Sequence, residues 1–229
     1  IELPESGRDN YSLAWSPDGQ SLATAGYSAS VQVWDLFRRR VQIELPLGAT
    51  PISPAVEWSP DGKRIAACDG PDVTIWDAST GKRQLRLETP NSLKAMKLTW
   101  SHDGQSIASG GQGSIWLWNT ATGALQHALT VDGDVLDLAF GNDDQVIVKG
   151  GRGSVELWDV GTQQRRWRVP VLSEVTSVAY LDNGSRLAAS TFSQVTVWNP
   201  RDPVSHQQVA AHGASSLAAT DAGSRLAMV

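Results

Sequence analysis

The sequence predicts an all-β fold, a β-propeller of four-stranded antiparallel blades with five full repeats plus part of a sixth. Three observations carry this reading. The first is aromatic usage: ten Trp against three Tyr and three Phe in 229 residues. The second is a period, because Trp34, Trp76, Trp118, Trp158 and Trp198 stand 42, 42, 40 and 40 residues apart. The third is a turn motif in phase with it. Trp15, Trp58, Trp100, Phe140 and Tyr180 are spaced 43, 42, 40 and 40 apart. They precede Ser16-Pro17-Asp18-Gly19, Ser59-Pro60-Asp61-Gly62 and Ser101-His102-Asp103-Gly104, then the looser Gly141–Asp144 and Leu181–Gly184.

Each element follows from local chemistry. The inner strand ends on the second aromatic series. In the turn after it, Pro presets φ, Asp bonds nearby backbone and Gly accepts positive φ. A second strand follows: Leu22–Ala25, Ile65–Cys68, Ile107–Ser109, Val146–Val148 and Leu187–Ala189. After a Gly-rich turn comes the Trp strand, with aliphatic residues at alternate positions: Val31/Val33, Val73/Ile75, Ile115/Leu117, Val155/Leu157 and Val195/Val197. Alternation of period two marks a strand with two distinct faces. Each Trp is followed by Asp or Asn: Asp35, Asp77, Asn119, Asp159 and Asn199. The outer strand is weaker: Val41–Leu45, Gln84–Leu87, Leu125–Leu129, Arg166–Val169 and Gln207–Ala210. Four short strands per unit of about 40 residues match a propeller blade.

These Trp-Asp dipeptides, Ser-Pro-Asp-Gly turns and the period resemble the WD-repeat family, in its bacterial form, over essentially the whole chain. The resemblance implies a single propeller domain spanning 1–229, with units at about 4–45, 46–87, 88–129, 130–169 and 170–210, and a partial 211–229. It implies a rigid platform for protein or peptide partners, of the kind often joined to kinases or signalling ATPases. Family blades carry an Asp before the Trp strand and a Gly-His pair before the inner strand, in a buried network with a Ser and the Trp. Here the turn positions are Ser28, Gly70, Gln112, Arg152 and Phe192, and His212 precedes Gly213 in reversed order. That network is expected to be largely absent, leaving stability to apolar packing between blades. A buried Trp hides ~150–250 Å², ~4–6 kcal/mol gross.

The chain is expected to start and end in mid-blade: Ile1-Glu2-Leu3 reads as an outer strand, and a sixth unit opens at Leu217. The expectation is a fragment of a longer, seven-bladed propeller, with a six-bladed ring lacking one strand as runner-up. An open blade edge invites pairing with another chain, so the isolated chain is expected to associate.

Catalysis finds little support. Gly110-Gly111-Gln112-Gly113 and Gly150-Gly151-Arg152-Gly153 look like phosphate cradles, but a β-strand follows each where a helix is required, so they read as hairpin turns. Glu57 and Asp137 are the only inner-strand acids and fall at different phases. His102, His127, His206 and His212 have no metal-ligand spacing, and Cys68 has no His to activate it. No catalytic residue, metal or cofactor is expected. The alternative function is a propeller hydrolase or lyase whose active residues lie in the missing blades.

Net charge is −5, which argues against nucleic acid. No apolar run approaches the ~20 residues of a membrane span, and the expected compartment is the cytoplasm. Arg38-Arg39-Arg40, Lys82-Arg83 with Arg86, and Arg165-Arg166 with Arg168 share a rim with many Asp residues, so local neutralisation is expected there, with a site for phosphate or an acidic partner as the alternative. The opposite rim carries residues that differ from unit to unit: Tyr11, Tyr27, Asp69, Met96, Gln112, Leu136, Arg152, Thr176 and Phe192. Tyr, Met, Phe and Arg are enriched at interfaces, which makes these the candidate partner-binding positions. Trp116 stands where other units have Gln32, Thr74, Glu156 and Thr196; it fills a gap between blades or marks a contact.

Overall fold

A computed structural model describes residues 10–26, 29–48, 55–90, 95–210, 217–219 and 226–228. Among them the fold is all-β, with helix confined to 3-10 turns such as Asp182–Gly184. No helix there is long and apolar enough to cross a membrane. The chain divides into two compact units, residues 1–111 with 116–126 and residues 112–115 with 127–229.

In the first unit, β1 (Asn10–Trp15), β2 (Ser21–Gly26), β3 (Ser30–Asp35) and β4 (Arg40–Pro46) form one antiparallel sheet in chain order. The next sheet repeats it with β5 (Val56–Trp58), β6 (Arg64–Asp69), β7 (Asp72–Asp77) and β8 (Arg83–Leu87). Leu22 pairs with Trp34 and Ile65 with Trp76, so the two Trp strands stand in one register. A third sheet is built from β9 (Ala95–Trp100), β10 (Ser106–Asn119) and β11 (Leu125–Asp134) in the order β11-β10-β9. β10 and β11 each contribute residues to both units.

The sheets stack face to face. Val56, Ile65 and Trp76 pack against Ala23, Ala25, Val31, Val33 and Leu45 of the first sheet. Leu98, Trp100, Ile107, Trp116 and Trp118 pack in the same way against Ala66, Cys68, Val73, Ile75 and Leu87. Each sheet therefore spends one face on its predecessor and the other on its successor, which is the propeller-like stacking that two-sided apolar alternation produces. Trp116 is 2% exposed and lies 6.4 Å from Trp118, so it fills a gap between sheets.

The second unit holds a six-stranded sheet of β12 (Asp137–Phe140), β13 (Val146–Asp159), β14 (Arg165–Leu181), β15 (Arg186–Thr191), β16 (Gln194–Asn199) and β17 (Asp202–Ala210). A two-stranded sheet, β18 (Leu217–Ala219) and β19 (Leu226–Met228), completes it. β13 doubles back on itself. Lys149 Nζ lies 3.8 Å from Glu156 Oε1, whereas seven residues of straight strand would separate their Cα atoms by ~23 Å. Gly153, at φ +77°, supplies the reversal, because glycine alone enters that region freely. β14 serves two layers: Arg165–Pro170 pairs with β13, and Val175–Leu181 pairs with β15. The layers pack through Val175, Val178, Leu187 and Trp198 against Val146, Val148, Val155 and Leu157. Outer and inner strands thus run on as one strand at the sequence boundary 169/170.

The repeated dipeptides have repeated jobs. Ser59 Oγ donates to Asp61 Oδ1 (2.6 Å) and accepts the Arg64 amide (3.0 Å), with equivalents at Ser16 and Ser101. Asp77 Oδ1 accepts the amides and hydroxyls of Ser79 and Thr80 at 2.7–3.1 Å. Those bonds hold its carboxyl down at about 2. Asp159 does the same for Thr162, with Arg166 added, and also sits at about 2. Asn119 performs the task without charge.

The inner-strand acids also have structural roles. Glu57 Oε2 accepts the Trp100 amide at 3.2 Å, and Asp137 Oδ2 accepts the Val178 amide and the Ser177 hydroxyl at 2.8 Å each. Ser12 Oγ accepts the Val56 amide at 3.1 Å. Each ties one inner strand to the next.

Polar networks are present, which corrects the expectation of apolar packing alone. Trp34 Nε1 donates to Thr24 Oγ1 (3.1 Å) and Trp158 Nε1 to Glu156 Oε2 (3.0 Å). Thr24 and Glu156 supply the acceptors.

Candidate interaction surface

The end of the strands away from the Pro-Asp-Gly-type turns carries the candidate positions. In the second unit, strand pairing brings several together. Arg152 stands opposite Glu174 in the β13–β14 ladder, and Val175 opposite Thr191 in the β14–β15 ladder. The turn bearing Arg152, the crossover at Glu174 and the turn bearing Phe192 are therefore neighbours. Arg152 Nε lies 3.1 Å from Glu174 Oε1 and 3.8 Å from Asp134 Oδ2, with all three side chains open to solvent. Such exposed pairs are worth ~0–1 kcal/mol, so a partner's charges can replace them at small cost. Phe192 is 59% exposed and Leu172, in the same crossover, is fully exposed.

The remaining positions differ. Thr176 is half-buried, its hydroxyl 2.8 Å from that of Ser190. Leu136 is half-buried and its amide donates to the Gly150 carbonyl at 2.9 Å. Gln112 is exposed, and Met96 is half-buried on β9. Tyr27 lies outside the described residues; Tyr11 belongs to β1, but its side chain lies outside what is described. Asp69 requires a correction. It is 4% exposed, with Oδ1 accepting the Gly48 amide (2.8 Å) and Oδ2 the Thr74 hydroxyl (3.3 Å). It braces the sheet and is not open to a partner. Leu172 carried no signal in the sequence because it lies within β14 where the outer strand runs on into the inner one, at no fixed repeat phase.

The rim of the Pro-Asp-Gly-type turns is self-neutralised in several places: Arg38–Asp35 at 2.6 Å and Arg166–Asp159 at 2.5 Å. Arg86 pairs instead with Asp72 at 2.8 Å, beside the β6–β7 hairpin at the other end of its sheet, and Arg165 and Arg168 reach Asp132. Cys68 is buried, and that burial pushes its thiol up to about 12, so it holds its proton at neutral pH. Among the described residues no group of three or more His, Cys, Asp or Glu is placed to hold a metal.

A family model described as "WD domain, G-beta repeat" matches residues 9–35 and 83–119. Two segments of the chain thus match WD repeats. The first match spans β1 to β3; the second begins on β8 and ends with β10. No curated protein matches the chain. WD repeats in general mediate protein–protein interactions, and the family is typically a non-catalytic scaffold.

Proposed function

We propose that this chain is a protein-interaction scaffold or sensor module of a larger signalling protein, built from five WD blades and part of a sixth. Its partner docks on the rim formed by Arg152, Glu174, Leu172 and Phe192. The observation that carries the reading is two exposed apolar side chains beside an exchangeable ion cluster, at turns and a strand crossover held by rigid ladders. A buried apolar anchor ringed by polar groups is the usual composition of an energetic hot spot. Gln112, Leu136 and Thr176 extend the surface.

Affinity capture with the full chain tests it. Arg152→Glu and Phe192→Ala are expected to lose the captured partners, while Phe37→Ala, more exposed still but on a Trp-Asp turn of the first unit, keeps them. Identical capture by all three would refute the assignment.

The reading includes association through β1. Leu13 is 63% exposed, whereas its counterparts Val56 and Leu98 are 2% and 4% exposed beneath the preceding sheet. Light scattering is expected to show association that Leu13→Glu abolishes; a monomeric parent chain would contradict it.

A further inference from the structure

Two clefts in the first unit occupy the same place in the repeat. One lies between the β5–β8 sheet and the β9–β10 strands, and Arg64 fills it. Its guanidinium stacks on Trp100, with Cζ 4.8 Å from the ring centroid. Nη2 donates to the Gly104 carbonyl at 2.9 Å and Nη1 to the Thr120 carbonyl at 3.2 Å. A half-buried cation is thus held by a ring face and two backbone carbonyls, the fork geometry that suits arginine better than lysine.

The other cleft lies between the β1–β4 and β5–β8 sheets and has a volume of about 320 Å³. Its walls match position by position. Trp58 stands for Trp100, Gly62 for Gly104 and Ala78 for Thr120, and all three line it. Pro17 contacts the Gly62 position as Pro60 contacts that of Gly104. The filling side chain is what differs. Arg64 pairs with Asp77 in its ladder; the residue pairing with Asp35 in the earlier ladder is Ser21. The short serine leaves the slot open. Asp18 and Asp61 line it, and no basic side chain does. Ser16 and Ser59 hold both carboxyls below the ordinary carboxylate range, so both stay ionised at neutral pH.

We propose that this cleft is a receptor for an arginine side chain of a partner protein, which enters as Arg64 does next door: ring face on Trp58, donors toward Gly62, Ala78, Asp18 and Asp61. The site lies at the Pro-Asp-Gly turns of the first unit, whereas Arg152 and Phe192 belong to the second, and it stands independently of them.

The probe is N-acetyl-arginine amide, titrated by NMR into the full chain beside its neutral citrulline counterpart and its lysine counterpart. A stacked, partly desolvated cation gains enough for about a fivefold preference for arginine over citrulline. Ser21→Arg supplies the missing guanidinium from within and is expected to weaken the arginine probe at least about tenfold, with the fold intact by circular dichroism. Should that variant not fold, Asp18→Asn with Asp61→Asn keeps the turn acceptors and is expected to cost about fivefold. Equal binding of arginine and citrulline, no binding of either, or arginine binding that survives these changes would each overturn the proposal.

Discussion

One cross-strand position shows how differently the two units solve the same problem. On β2–β3 it holds Thr24 opposite Gln32, and on β6–β7 Ala67 opposite Thr74. On β13 it holds Lys149 facing Glu156, with side chains 1% and 0% exposed. The neutral pairs are satisfied locally: Thr24 accepts the Trp34 indole and Thr74 donates to Asp69. The charged pair recruits a neighbourhood. Glu156 accepts from Ser154 (3.1 Å) and Trp158 (3.0 Å), and Arg165 and Arg168 approach it at 3.8 and 3.6 Å. Lys149 donates to the Asp132 carbonyl at 2.5 Å. Burial pushes the Lys149 ammonium down, and Glu156 opposes that shift. The repeat fixes the slot, while the occupant is free to vary provided every buried charge is answered.

The comparison breaks most visibly at Glu156. Glu156→Ala leaves Lys149 buried without its counter-ion and the Trp158 indole without its acceptor. The expected loss is ~3–5 kcal/mol, read from the urea midpoint. Thr24→Val removes the acceptor of the Trp34 indole in the neutral version and should cost only about 1 kcal/mol. A cost near that of Glu156→Ala would erase the distinction.

The smallest effect lies in the Trp-Asp turns. Asp77 and Asp159 are held at about 2, below the ordinary 3.8. A carboxylate depressed on folding adds stability that is full above its unfolded value and is lost as pH falls toward its folded one. Melting temperature should therefore drop between about pH 4 and pH 2. Asp77→Asn, which keeps the acceptor as Asn119 does, should narrow its gap from the parent chain across that window. A pH-independent gap would show that the charge is irrelevant there.

The frame was legible because its signals are local: a Trp after alternating aliphatics, a Ser two residues before an Asp. What was not legible depends on register and packing. Asp69 shares a turn phase with exposed residues, yet its carboxylate folds inward onto Gly48 and Thr74. Lys149 and Glu156 look like unrelated charges until β13 doubles back. Glu57 and Asp137 sit at different phases and still perform one job, because each reaches the next inner strand. The Ser21 slot left no sequence signal, since a missing arginine is visible only beside Arg64.

The most direct test grafts one solution onto the other site. Lys149→Ala with Glu156→Thr writes the Ala67–Thr74 pair into β13. If repeat positions are equivalent slots, the double variant should lie within ~1 kcal/mol of the parent chain in urea denaturation, well above Glu156→Ala. A double variant as unstable as Glu156→Ala would contradict that equivalence.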